Sequence, residues 1–303
     1  MAVTITRRWS RLSVLILATI SAALLFGLFR VVLHRTVARQ LQETAQTIPG
    51  CTGIRYARLT IPTFTLQAKI EEAALLFADA AEEIQLQTVH IRRFRPGDRL
   101  PKALDATIDG FEMDRHQPLL APLRQALQNL NYRRLTGDLQ IRLERRGEDH
   151  TEWEIDLVLR IVDAGTVALS TRLDKLNADG VAMALDNPLN WLIVLPPVEW
   201  VQGKLTYEDD GLFDRILIDA ARRQGRPPQQ VREALLQTLH MRLQTEKEPG
   251  VQAVWQSLIT FCRHPGHITL KTRLPRPRPL GQLLWVRQPR DVIRGLAIES
   301  TVD

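Results

Sequence analysis

Cysteine is scarce in this chain, with two among 303 residues. Cys51 and Cys262 stand in opposite thirds of the sequence, which excludes a disulfide-built scaffold and is the wrong spacing for a zinc knuckle or a thioredoxin-like pair. In an oxidising compartment the two could bridge the start of the domain to its last third, or they could remain unpaired thiols. Also missing are Gly-x-Ser-x-Gly, a glycine-rich phosphate loop and His-Glu-x-x-His, so the common hydrolase, nucleotide and metalloprotease signatures are absent. No catalytic residue, metal or cofactor is implied. No internal repeat or low-complexity tract is evident. Acid is missing from residues 1–39, which hold six of the forty Lys and Arg, so the remaining 34 cations balance 34 Asp and Glu. The net charge of +6 therefore belongs to the N-terminus and gives no reason to expect nucleic acid as a partner.

The clusters of polar residues have ordinary explanations. Cys262, His264 and His267 are close, but a fourth ligand is lacking and Pro265-Gly266 accounts for the corner between helix and strand. Asp109, Glu112, Asp114 and His116 put carboxylates beside an imidazole, which is equally the look of a solvated strand face. Arg92, Arg93, Arg95 and Arg99 surround Phe94, a pattern suited to lipid headgroups or to plain solvation. Glu208-Asp209-Asp210-Gly211 lacks the spaced ligands of a calcium loop and reads as a helix cap.

Leu12 to Phe29 carries no charge, and Val31 to Leu33 extends the apolar run past Arg30. At 1.5 Å per residue, residues 12–33 would span roughly 33 Å, enough for a hydrocarbon core of about 30 Å. Leu12, Leu17, Leu24 and Phe29 would be the anchoring side chains, and the run is longer than a cleaved signal needs. The expected layout is a cytoplasmic N-terminus at 1–11, a transmembrane helix at 12–33 and a stalk at 34–50. A β-rich domain at 51–207 and a helical and β part at 208–303 follow. A first helix ahead of so large a domain commonly exports it, giving a single-pass protein of a bacterial inner membrane with its C-terminal domain in the periplasm.

Beyond Gly53 the hydrophobic period becomes two. Strands are predicted at Ile54 to Ile61, Phe64 to Ala73, Glu83 to Phe94 and Ala103 to Met113, with a short helix at Pro118 to Leu130. The alternation is cleanest in Leu139, Ile141 and Leu143, then Trp153, Ile155, Leu157, Leu159 and Ile161, then Val167, Leu169 and Leu173. Arg142, Glu154, Asp156, Arg160 and Arg172 fill the intervening positions, so one face is wet and these three strands form an antiparallel meander. Val198 to Tyr207 reads as another strand. Helices follow from Gly211, Pro228 and Pro249, then a strand from His267 to Leu274, a short helix at Leu280 to Val286 and a last strand to Val302. The fold class expected is α+β, an N-terminal transmembrane helix followed by a curved antiparallel sheet packed with C-terminal helices.

Gly53-Ile54-Arg55-Tyr56, Gly137-Asp138-Leu139 and Ala164-Gly165-Thr166, set behind an apolar N-terminal run, resemble the AsmA-like group of bacterial envelope proteins. Leu205 to Leu212 and Pro265 to Leu270 resemble stretches of N-terminally anchored periplasmic proteins. The resemblance implies a curved sheet with one apolar face that holds or passes lipids. Two functions stay open. One is a non-enzymatic envelope scaffold that recruits a protein partner. The other is a lipid-handling module with membrane lipids as partners, its groove lined by Trp153, Ile155, Leu157, Leu159, Val167 and Leu169.

Overall fold

The structure is a computed structural model, and it describes residues 39, 41–43, 45, 51–62, 67–78, 83–95, 100–147, 151–186, 190–284 and 288–302. The period-two segments build strands β1 (Cys51–Thr60), β2 (Ala68–Phe77), β3 (Ile84–Arg95) and β4 (Ala103–Asp114). A 3-10 turn at Pro118–Leu123 and helix α1 (Arg124–Asn129) lead into β5 (Arg134–Arg146), β6 (Glu152–Ile161) and β7 (Gly165–Asp174). Helices α2 (Ala178–Asp186) and α3 (Trp191–Val194) precede β8 (Glu199–Asp209). Then come α4 (Leu212–Gln224), α5 (Pro228–Thr245), α6 (Pro249–Arg263), β9 (His267–Pro279), α7 (Leu280–Leu284), α8 (Pro289–Leu296) and β10 (Ile298–Val302).

All ten strands join one antiparallel sheet in strict sequence order, open at β1 and β10. Alternation sets one apolar and one polar face along its whole width. Slips of phase keep the apolar side chains on their face, two of them at strand residues with positive φ. In β4, Gly110 takes φ 66° and its N–H donates to Asp138 Oδ1 at 2.9 Å, so the apolar series passes from Ile108 to Phe111. In β2, Glu72 takes φ 53°, and the series passes from Ile70 to Ala73. A bulge of this kind inserts one residue and preserves register on either side. Where β10 stops opposite Thr272, β9 runs on through Pro275, Pro277 and Pro279, whose missing N–H groups suit an edge that has no neighbouring strand there among the described residues.

Among the described residues, helices cover only parts of the apolar face. Leu120, Leu127 and Tyr132 pack with Leu59, Ile70, Phe77 and Ala45 at one end. Ala45 is buried, Leu41 packs on the same cluster, and Gln42 Oε1 accepts the Ile54 N–H at 3.3 Å, so these helical residues dock on the sheet. At the other end Trp153, Leu176 and Val198 form a cluster with Val181, Val194 and Leu280. Along the β9–β10 side, α6 carries Val251, Val254, Trp255 and Ile259 into a third cluster with Ile293 of α8. Asp209 starts α4 by accepting the N–H groups of Gly211 and Phe213 at 3.1 and 2.9 Å, which satisfies donors that a helix start leaves open.

Three expectations are corrected. The α+β class with an N-terminal transmembrane helix gives way to a sheet-dominated fold. Its meander runs through ten strands rather than three. Among the described residues no helix is long and apolar enough to cross a membrane. The longest, α5 at 18 residues, carries Arg232, Glu233 and Arg242 and buries only Val231 and Leu239. A single-pass inner-membrane anchor with a periplasmic domain is therefore unsupported, and its anchoring residues Leu12, Leu17, Leu24 and Phe29 lie outside the described residues.

Candidate binding trough on the apolar face

Register aligns one residue from each central strand into a row. Ala106 faces Ile141, Ile141 faces Leu157, Leu157 faces Leu169, Leu169 faces Leu205, and Leu205 faces Leu270. Ile141, Leu157, Leu169 and Leu270 are half-buried, and Leu205 remains 40% exposed. Among the described residues, none of these five packs into any of the clusters that the helices cover. At about 4.8 Å between strands, the row from β4 to β9 is about 24 Å long. The result is a strip of aliphatic floor with packed helices and loops along its two sides.

The side toward the β6–β7 turn is closed by two phenols. Tyr207, across from Val167, donates its hydroxyl to Asp209 Oδ1 at 2.6 Å, with the Ala164 carbonyl at 2.9 Å, and its ring meets Phe261 of α6 at 5.9 Å. Tyr132 donates to the Asp163 carbonyl at 2.7 Å beneath the Arg215 guanidinium, 4.6 Å from its ring centre. Burial raises the pKa of both hydroxyls, and for Tyr207 the Asp209 carboxylate adds to the effect, so both are neutral donors. The opposite side is closed by Trp153, whose Nε1–H donates to the Leu176 carbonyl at 2.7 Å. Trp200 there lies over Gly203 and donates to Thr272 Oγ1 at 2.7 Å.

The six residues anticipated as a groove lining therefore divide. Trp153 is 2% exposed and belongs to the core, with Ile155 packed beside it and Leu159 packed on the Tyr132 cluster. Leu157, Val167 and Leu169 lie between the clusters. The trough also uses Ile141, Leu205 and Leu270, which sequence reasoning did not assign to it. Leu139-Ile141-Leu143 and Gly203-Leu205-Tyr207 do alternate, but which strands sit side by side is not written in the period.

The other candidates come apart. Cys51 and Cys262 are free buried thiols in different clusters, so they form no bridge, and burial raises the pKa of Cys262. His264 is exposed and His267 meets Thr269 Oγ1 at 3.0 Å. No group of three His, Cys, Asp or Glu suited to a metal occurs among the described residues. Glu112 pairs with Arg134 at 2.6 Å, and Asp114 Oδ1 accepts the His116 N–H. Arg93 pairs with Glu144 at 3.2 Å on the polar face, and Arg99 lies outside the described residues.

Residues 158–302 match the model of a family described only as an uncharacterised protein. No curated protein matches the chain.

Proposed function

We propose that the domain is a non-enzymatic binding module that holds the hydrocarbon chain of an amphiphile across its sheet. The observation that carries this reading is the row Ile141, Leu157, Leu169, Leu205 and Leu270, which is aligned across five strands yet joins no packed cluster among the described residues. A continuous row of aliphatic side chains suits a flexible methylene chain better than a ligand that needs directional hydrogen bonds. The floor is made of Leu and Ile without aromatic rings, which also favours aliphatic over planar ligands. An apolar sheet face that holds lipids is what the AsmA-like resemblance implies, and the trough accords with it.

Native mass spectrometry and solvent extraction of the purified protein test the reading. Co-purifying fatty acid or phospholipid, or saturable binding of a fluorescent polyene fatty acid, is expected. Leu205→Arg should remove that binding while leaving the circular dichroism and unfolding midpoint near those of the parent, because the side chain is already 40% exposed. A protein that binds no amphiphile, or whose binding survives Leu205→Arg, overturns the trough.

A further inference from the structure

We infer that the polar face of the same sheet carries a binding site for a phosphate group, between β7, β8 and β9. The site is independent of the trough. Leu205 faces the trough, so its neighbour Lys204 must point the opposite way. Register puts Lys271 directly across from Lys204, with Ser170 on its other side. One row along, Arg172, Gln202 and Arg273 are aligned in the same manner. These residues line a depression of about 350 Å³.

Charge balance sets this patch apart from the rest of the face. Elsewhere on the face several cations are neutralised by neighbours, as Arg134 is by Glu112 at 2.6 Å, Arg146 by Glu154 at 2.6 Å and Arg93 by Glu144 at 3.2 Å, whereas here unpaired cations adjoin one another. Within the depression Arg172 pairs with Glu152, and Glu154 is engaged by Arg146. Lys204, Lys271 and Arg273 have no carboxylate within ion-pair distance among the described residues. Like charges directly opposite on an antiparallel pair weaken a sheet, so the Lys204–Lys271 pair is a cost to the empty protein. An oxyanion between the two ammonium groups turns that repulsion into attraction.

The flanking chemistry suits phosphate. Two residues along the same strands, the Thr206 and Thr269 hydroxyls lie 3.3 Å apart, and His267 Nε2 is 3.0 Å from Thr269 Oγ1. Three unpaired cations beside hydroxyl donors match a doubly charged group with several acceptor oxygens better than a carboxylate. Glu299, across from Lys271, is the acid that keeps the site from attracting polyanions without discrimination. Because trough and depression occupy opposite faces, the phosphate belongs to a molecule other than the one lying in the trough. Its source is either a small soluble phosphomonoester or the headgroup of a phosphomonoester lipid surface.

The test uses the full chain. Inorganic phosphate and glycerol phosphate are titrated calorimetrically, and sedimentation with phosphatidic acid vesicles is compared with phosphatidylcholine vesicles. Saturable, salt-sensitive binding is expected, weakened about tenfold or more by Lys204→Gln or Lys271→Gln, the equivalent of one charge-assisted hydrogen bond. Arg142→Gln, on the same face but outside the depression, should leave binding unchanged. Binding of soluble glycerol phosphate identifies a small-molecule source, whereas retention on phosphatidic acid vesicles alone identifies a headgroup; either supports the site. Absence of binding in every arm, or binding that both lysine variants leave intact, overturns it. Neither outcome depends on whether Leu205→Arg abolishes amphiphile binding.

Discussion

Replacing Trp153 should separate core from trough by the size of its effect. The side chain is 2% exposed, packs on Leu176 and Val198, carries Arg145 over its ring at 5.2 Å and donates to the Leu176 carbonyl. Truncation to Ala removes a full aromatic volume from a closed cluster, for which about 3–5 kcal/mol is the usual loss. Trp153→Phe keeps most of the volume and orphans the Leu176 carbonyl, costing about 1–3 kcal/mol. Leu205→Ala stands on the other side of the comparison. Full burial of a leucine is worth about 1.5–3 kcal/mol, and a residue 40% exposed on an open floor loses only part of it, about 1 kcal/mol. Urea unfolding followed by far-ultraviolet circular dichroism reads all three, since six tryptophans blur a fluorescence signal. The order of midpoints should be Leu205→Ala above Trp153→Phe above Trp153→Ala, with unchanged slopes. A Leu205→Ala loss equal to that of Trp153→Ala would refute the reasoning, for it would place Leu205 in closed core.

Gly203→Ala should weaken amphiphile and phosphate binding together, because a Cβ there would stand 2.2 Å from Trp200 Cζ2, and moving that ring breaks the Thr272 hydrogen bond. Cys51 and Cys262, both buried and free, should react with an aromatic disulfide reagent only after unfolding; the burial that raises the Cys262 pKa also withholds its thiolate at neutral pH. The hydrogen bond from Arg222, followed by that from Arg223, lowers the pKa of Asp219 below its ordinary 3.8. The stabilisation from Asp219 is therefore present above the unfolded carboxylate value and lost as pH falls through the lower folded one, so Asp219→Asn should flatten the acid limb of a stability profile below about pH 4.

Much of the strand content was legible because period two survives wherever one face is covered. Ile54 to Ile61, Glu83 to Phe94 and Ala103 to Met113 lie close to β1, β3 and β4, and the 139–173 alternation matches β5 to β7. The strand expected at Phe64 to Ala73 instead ends at Phe77, because Glu72 with positive φ breaks the period on which the reading relied. The strand expected to end at Leu274 continues to Pro279, where prolines usually signal a stop but here guard an edge. The continuity of the sheet was not legible at all. Alternation tells which side chains share a face, and it says nothing about which strands are neighbours. Trp153 shows the same limit for the site: its place in the alternation equals that of Leu157, and only the loop carrying Leu176 and Val198 turns it into core.

Both proposed sites depend on one register, that of β8 against β9, although α4, α5 and α6 lie between the two strands in sequence. Side chains alternate, so a slip of a single residue would bring Lys204 to the trough and Leu205 to the depression. Hydrophobic patterning alone holds such a register weakly near the β9 edge, where β10 supplies only five residues of pairing. A polar interlock supplies the missing specification: Trp200 Nε1–H donates to Thr272 Oγ1, and that hydroxyl in turn reaches the Gly203 carbonyl at 3.4 Å. Only glycine leaves room for the indole above it, so Trp200, Gly203 and Thr272 fit at one alignment of the strands. A large aromatic held by a hydrogen bond thus fixes which residues of β8 and β9 face which side.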